Sequence, residues 1–350
     1  MNEQSEQSIT VIGAGVIGLC CARTLQRRGY GVTVIDPLDP GMGTSYGNAG
    51  ILATGSVLPE GKPGLWKRVP GMLLDPLGPL TIRPSYLAKL TPWMLRFIAN
   101  TTAKRSEEIS QALASIVLPG LEHYRALLDD VASDEVPIRQ QGCLYLYPSA
   151  ANLAAARDDI ETRRQRGVAL EMLSPDEVRQ LVPAIGPDMA GGALATQSGH
   201  ATSPLALSQL LAARIVADGG NFIKAKASGF AIGSDGPTHV HTDQGDIPVR
   251  AVVVAAGAFS KPLAKSLGNT VPLDTERGYH MMLPQPGIDL RVPMLINAHG
   301  YAVTPMQDGI RLAGTVEFAG TEAAPNYARA DVLLKRARKL FPGLQDTGAE

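Results

Sequence analysis

At 350 residues the chain is about twice the length of a typical ~150-residue domain, so two domains are expected. Its 45% hydrophobic and 19% charged residues exclude intrinsic disorder. A net charge of −1, with no run of Lys or Arg that stands out, excludes attachment to nucleic acid or to an anionic membrane by bulk charge.

The first seven residues, MNEQSEQ, carry two glutamates and no basic stretch, so no signal peptide is expected. SITVI (8–12) reads as a short strand and runs into GAGVIG (13–18). Helical spacing of Leu19, Ala22 and Leu25 follows, with Gly29 as its stop, and YGVTVID (30–36) is a second strand ending in Asp36. Strand, glycine turn, helix, strand and acid together make a dinucleotide-binding unit. Gly13 serves the tight turn, Gly15 the approach of a pyrophosphate, and Gly18 the close packing of helix on strand. Ala14, Val16 and Ile17 complete a turn whose N–H groups sit at the positive end of the helix. Asp36 is placed to accept from ribose hydroxyls and disfavours a 2′-phosphate.

GTSYGNAG (43–50) comes next, where a nicotinamide-binding unit would place a crossover helix. Its three glycines, with Thr44, Ser45, Asn48 and Ala49, suit a turn or a close approach to a ligand instead. Residues 57–101 are rich in proline and read as an irregular excursion with short helices. Within it, 82–98 predicts a partly buried helix interrupted at Pro92, with contact to a bilayer surface as the other reading. No run approaches the ~18 apolar residues of a membrane span. Residues 106–132 give two helical stretches split at Pro119, 141–148 a strand, and 149–166 a helix stopped by Gly167. Arg157, Arg163, Arg164 and Arg166 are expected to form its solvated face. Ser174, Pro175 and Glu177 mark a capped helix over 174–183. A strand at 191–196, a helix at 203–220, an antiparallel meander and an apolar strand at 251–256 then lead into Gly257. The rest, 271–320, is mostly β. Cys20, Cys21 and Cys143 make neither a disulfide framework nor a CxxC pair, and a reducing cytoplasmic compartment is expected. The expected domains are 8–56 with 191–270 for the nucleotide, and 57–190 with 271–350 for the substrate.

One nucleotide unit, a hydroxyl-rich loop and then an insertion is the layout of FAD-binding proteins of the glutathione-reductase type. The chain resembles the FAD-dependent D-amino-acid oxidase/dehydrogenase superfamily, and most closely the bacterial D-amino-acid dehydrogenases. The resembling stretches are VIGAGVIGLCCARTLQRRGYGVTVID (11–36), GTSYGNAGIL (43–52), LSPDEVRQLVPAI (173–185), VVVAAGAFS (252–260), ERGYHMML (276–283) and GYAVTPMQDGIRLAGTVEFAG (300–320). The resemblance implies an α/β fold: a Rossmann FAD-binding domain, and a second domain of mixed, largely antiparallel sheet covering the flavin. It also implies that FAD binds through Gly13, Ala14, Gly15, Val16, Ile17, Gly18, Asp36, Thr44, Ser45, Asn48, Ala49, Gly50 and Gly257. The implied chemistry is hydride transfer from Cα of a D-amino acid, of D-proline or hydroxyproline type among others, to flavin N5. The imino acid then hydrolyses to a 2-oxo acid and ammonia, and the electrons pass to a quinone or carrier. A glycine- or sarcosine-type oxidase using oxygen, and a non-catalytic flavin subunit needing a partner chain, are the alternatives. The resemblance also implies a tail past a point like Glu350 in relatives, and this chain is expected to lack it. A NAD-dependent dehydrogenase is the runner-up on cofactor, and it requires a helix over 43–50.

The substrate carboxylate calls for a cationic partner, and a bidentate arginine suits it best. Candidates for catalysis are Arg277, Tyr279 and His280 in ERGYH, and His299, Tyr301 and Thr304 in AHGYAVTP. In a strand Arg277 and Tyr279 share one face and His280 takes the other. The plainer reading pairs Arg277 with Glu276 or another acid and leaves His280 as a core histidine. His200, in SGHATSP, is within reach of cofactor or substrate. His239 and His241 alternate on one strand with no third ligand near in sequence, so no metal site is expected.

Overall fold

A computed structural model describes residues 8–65, 78, 80–132 and 134–350. The expectations for MNEQSEQ and for 66–77 of the proline-rich excursion lie outside the described residues. The chain forms two compact units, Met1–Gly47 with Arg125–Pro137 and Pro204–Asp274, and Asn48–Tyr124 with Ile138–Ser203 and Thr275–Glu350.

In the first unit four parallel strands lie in the order Asn221–Lys224, Gly31–Asp36, Ser8–Ile12, Val252–Val254. Near-continuous Val and Ile make these strands apolar on both faces, as a covered parallel sheet requires. Val11, Val34 and Ile35 are buried. The Val16–Arg27 helix lays Leu19 and Ala22 on this sheet, and the Pro204–Ala217 helix buries Leu207, Leu211 and Ile215. A three-stranded antiparallel meander, Ala227–Gly233, Gly236–Thr242 and Gly245–Pro248, intervenes before the last parallel strand. Residues 125–137, expected with the substrate part, pack here instead. The reason is ionic: the buried Arg23 pairs with Asp130 at 2.8 Å and with Asp218, and Arg27 pairs with Asp129 at 2.5 Å.

The second unit is built on a mixed sheet. Its order is Arg277–Leu283, Gly309–Phe318, Tyr301–Met306, Met294–Ile296, Cys143–Tyr147, Gly191–Ala195, Leu170–Leu173, with Leu80–Ile82 alongside Gly309–Phe318. Residues 48–56 and 191–203 pack in this unit, because Ile51–Leu52 pairs with Gly199–Ala201 and Gly191–Ala195 pairs with Cys143–Tyr147. One sheet face carries Leu144, Leu146, Met281, Leu283, Val303 and Leu312 into a core closed by the Ala328–Leu340 helix. That helix was not anticipated, although Ala330, Leu333, Leu334, Ala337 and Leu340 follow helical spacing and are all buried. The opposite face carries Tyr145, Tyr147, Ala193 and Ala195 against Val57, Ile160 and Val168.

Two helix expectations change. Leu87–Ala99 runs unbroken through Pro92, which costs one N–H, while Thr91 Oγ1 donates to Leu87 O at 2.8 Å. Only Leu90 of this helix is buried; Leu87, Leu95 and Ile98 are exposed. The helix expected over 149–166 is two, Ala150–Ala155 and Arg157–Gln165, with Ala156 between them. Its arginine face is not all solvated, since Arg163 is buried and donates to Gly55 O at 3.1 Å. No helix among the described residues is long and apolar enough to cross a membrane.

Candidate functional site

In the first unit three strand ends converge on Gly13. Its N–H donates to Ile35 O at 2.8 Å, while Ala255 N–H donates to Ile12 O at 2.8 Å. Gly13 has φ +115°, and a Cβ there would lie 2.4 Å from Ala255 O. A Cβ on Gly18 would lie 1.9 Å from Gly13 O. Gly15 differs: with φ −72° it would place a Cβ near only Ser45 Oγ, at 3.2 Å. Its hydrogen therefore keeps space open at the helix start instead of relieving a backbone clash. The first turn of the helix has no acidic residue, so an anion meets donors and a positive dipole end there. A pyrophosphate fits these residues.

Asp36 Oδ2 accepts from Ala14 N–H at 2.7 Å and Oδ1 from Leu38 N–H at 2.8 Å. A carboxylate has about four lone-pair sites, so ribose hydroxyls remain within its capacity. Ser45 Oγ accepts from Val16 N–H at 2.9 Å and ties the 43–50 stretch to the helix start. That stretch is a series of turns with no helix, unlike the crossover a nicotinamide unit would show. Thr44 is exposed and Ala49 half-buried. Asn48 Oδ1 accepts from Gly50 N–H at 2.7 Å, and Gly50 takes φ +67°. Gly257 opens a short turn after Val252–Val254 at φ +53° with open space around it.

In the second unit strand register sorts the catalytic candidates by face. Met282, Arg311 and Thr304 form one cross-strand row, and His280, Ala313 and Ala302 the next row on the same face. Arg311 is 7% exposed and Thr304 fully buried. Arg311 Nη1 donates to Asn48 O at 3.1 Å. Burial, and then the charge of Arg311, lower the proton affinity of His280, so its imidazole is neutral at pH 7. His200 lies on Gly199–Ala201, opposite Ile51 and Arg139. Burial, then the Arg139 charge, push it down to about 4 against a hydrogen bond to Pro305 O. Arg311 was overlooked in the sequence, where its signal is a lone charge inside the apolar run GIRLAG.

The remaining candidates sit elsewhere. Tyr301 is buried on the core face, with burial raising its hydroxyl pKa far above normal. His299 lies in the Asn297–His299 turn; its carbonyl accepts from Arg336 Nη1 at 2.9 Å, and burial, Arg336 and Lys339 lower its proton affinity. Arg277 and Tyr279 share a face, as alternation requires, and converge on Glu317. Tyr279 OH donates to Glu317 and accepts from Asn326 N–H at 2.9 Å. Arg83 Nε donates to Glu317 at 2.7 Å, and Arg277 lies 3.7 Å from it. The acid that meets Arg277 is therefore Glu317, 2% exposed, rather than Glu276. His241 Nδ1 meets Asp246 at 2.8 Å. No group of three or more metal-ligating side chains occurs among the described residues.

Burial, the largest influence on Glu317, raises its pKa. Hydrogen bonds from Tyr279 and Arg83, with the charges of Arg83 and Arg277, reverse that and leave it lowered. A carboxyl depressed on folding stabilises above its unfolded value of about 4.3, and the contribution is lost as pH falls through the lower folded value. Glu317→Gln should destabilise the fold at pH 7, since Arg83 and Arg277 lose the charge they face. In urea unfolding the gap between wild type and variant should hold from pH 7 to 5 and narrow below about 4.3. A gap that widens with acid contradicts this role.

Comparison with known proteins bears on both units. The family model described as DAO, FAD dependent oxidoreductase, matches residues 8–350. The chain is 39% identical over 341 residues to a D-amino-acid oxidase of Bradyrhizobium diazoefficiens, covering 96% of this chain and 80% of that protein. It is 29% identical to a D-amino acid dehydrogenase of Rhizobium rhizogenes, covering 96% and 82%. Among solved structures, glycine oxidase from Bacillus cereus superimposes with a TM-score of 0.69 at 16% identity, covering 97% of this chain and 80% of that one. L-proline dehydrogenase from P. horikoshii gives 0.69 at 18% identity, covering 96% and 77%. These two likenesses concern the fold alone.

Proposed function

The chain belongs to the DAO family of FAD-dependent oxidoreductases, and from that premise we propose that it oxidises the Cα–N bond of a D-amino acid. The observation that carries this reading is the buried guanidinium of Arg311, held on one sheet face beside Thr304 and the neutral His280. Arg311 binds the substrate carboxylate, with the Thr304 hydroxyl next to it in the row. His280 takes the proton that the ammonium group must lose before Cα can release a hydride. FAD supplies the acceptor for that hydride. Its pyrophosphate would be held over the turn of Gly13, Ala14, Gly15, Val16, Ile17 and Gly18, at the positive end of the helix, and its ribose by Asp36. Thr44, Ser45, Asn48, Ala49, Gly50 and Gly257 serve the rest of the cofactor. Water hydrolyses the imino acid to a 2-oxo acid and ammonia.

The test is anaerobic titration of the FAD-loaded protein with D- and L-amino acids, including D-proline and D-hydroxyproline. Bleaching of the flavin band by D-amino acids is expected; indifference to all of them, or preference for L-forms, overturns the reading. Electrons then leave to a quinone or carrier at the cytoplasmic membrane face. Supporting this are the exposed Leu87, Leu95 and Ile98 of the Leu87–Ala99 helix and the lack of Asp or Glu from 80 to 106. A second reading, oxygen as acceptor, is favoured by the 39% identity to a protein named an oxidase. Aerobic turnover decides between them: little peroxide is expected of the dehydrogenase, and peroxide matching substrate loss mole for mole establishes the oxidase.

A further inference from the structure

Arg311 and His200 are tethered to each other twice within the second unit. On one side, Arg311 Nη1 donates to Asn48 O at 3.1 Å, and two residues on Gly50 O accepts at 2.7 Å from the N–H of Ala201, the neighbour of His200. On the other side, Arg311 stands opposite Thr304 across the sheet, and the carbonyl of the next residue, Pro305, takes the hydrogen bond of His200. The two paths close a ring. On it lie two polar atoms, His200 Nδ1 and Thr304 Oγ1, that are buried and unpartnered among the described residues. Their residues are 2% and 0% exposed. Buried polar atoms are nearly always hydrogen-bonded, so the two orphans on this ring ask for a bound group that completes them.

The chemistry of that group follows from the ring. Nδ1 has no partner, so Nε2 is the nitrogen that donates to Pro305 O, and the proton sits there. Nδ1 is then a bare acceptor. Held at about 4, the imidazole stays neutral and offers that acceptor at every pH of ordinary function. A buried cation and a neutral acceptor on one ring complement the two ends of an α-amino acid, its carboxylate and its N–H.

We infer that His200 Nδ1 accepts an N–H of the substrate amine while Arg311 holds the carboxylate, which makes His200, together with the proton-accepting His280, a residue that distinguishes an amino acid from other small carboxylates. This rests on the D-amino-acid reading above. His200→Gln keeps a donor where Nε2 sits and loses the acceptor at Nδ1; His200→Asn keeps the acceptor. With FAD-loaded protein, D-alanine as substrate and isobutyrate as its amine-free competitive inhibitor, H200Q should raise KM for D-alanine about tenfold. It should leave the isobutyrate inhibition constant within about twofold, and H200N should recover most of the loss. Equal weakening of both ligands, or an unchanged KM, overturns the inference and leaves His200 a structural residue with an ordered water on Nδ1. A measurement on the unsubstituted protein covers the case in which H200Q fails to fold. In dithionite-reduced, 15N-histidine-labelled protein, D-alanine should shift the Nδ1 resonance and isobutyrate should not. Identical shifts from the two ligands also overturn it. Wild type that no D-amino acid bleaches removes the parent reading and this one together, whereas active wild type with an indifferent H200Q removes this one alone.

Discussion

Arg311→Met is expected to lower kcat/KM for a D-amino acid by roughly 100- to 1000-fold, mostly through KM, while leaving the melting temperature unchanged or slightly raised. The two halves of this expectation have different origins. A buried guanidinium is costly to desolvate, and an apolar side chain of similar length is often neutral or stabilising in its place. What the arginine supplies is a planar fork for a carboxylate, and methionine offers nothing there. Arg311→Lys should recover part of the loss, because it keeps the charge and gives up the fork. Removing the bond to Asn48 O also frees one anchor of the 43–50 stretch, so a modest fall in FAD affinity should accompany both variants. A change in kcat/KM of less than about threefold in Arg311→Met would sink the assignment.

The second large effect separates two glycines of one turn. Gly13→Ala puts a side chain at φ +115° with its Cβ 2.4 Å from Ala255 O. Strain of about 1–3 kcal/mol and overpacking of similar size should unfold much of the first unit and abolish FAD binding. Gly15→Ala sits at φ −72°, a conformation any residue adopts, and meets only Ser45 Oγ at 3.2 Å. Its fold should survive with little change in melting temperature. Its FAD dissociation constant should nevertheless rise by roughly 100-fold, since the methyl group occupies the approach of the pyrophosphate. Flavin content after gel filtration, read beside a thermal melt, distinguishes the variants. Gly15→Ala protein that holds FAD as tightly as wild type refutes the placement.

What could be read in advance follows the range of the interactions. The nucleotide turn is legible because its strand, glycine turn, helix and acid all lie within residues 8–36, although the steric demand on Gly13 comes from Ala255, far along the chain. The capped helix at Ser174 is legible for the same reason: its cap and its box are four consecutive residues. The catalytic face is another matter. Arg277 and Arg311 are both arginines in apolar strands. The first is claimed by Glu317, 40 positions on, and the second by Asn48 O, far back in the chain. No periodicity announces which. Tyr301 and Thr304 differ by an odd number of residues, so they fall on opposite faces. Only the register Tyr301↔Gly314 and Thr304↔Arg311 tells which face carries the cation. The Ala328–Leu340 helix carries a local signal of its own, the helical spacing of Ala330, Leu333, Leu334, Ala337 and Leu340. Pro92 misled in the other direction: a proline inside a helix is costly, but the cost is one bond and can be borne.

The parallel sheet of the first unit has a consequence for biosynthesis. Its Ser8–Ile12 strand leaves the ribosome long before one of its two neighbours, Val252–Val254, which begins 240 residues after it ends. At translation rates of about 5–20 residues per second that edge stays unpaired for roughly 12–48 s. An apolar strand with an open edge is a template for pairing with another nascent chain. Chaperone occupancy during translation should therefore persist until the strand at 252 emerges, and yields should respond to slower growth temperatures more than to changes at the mature surface.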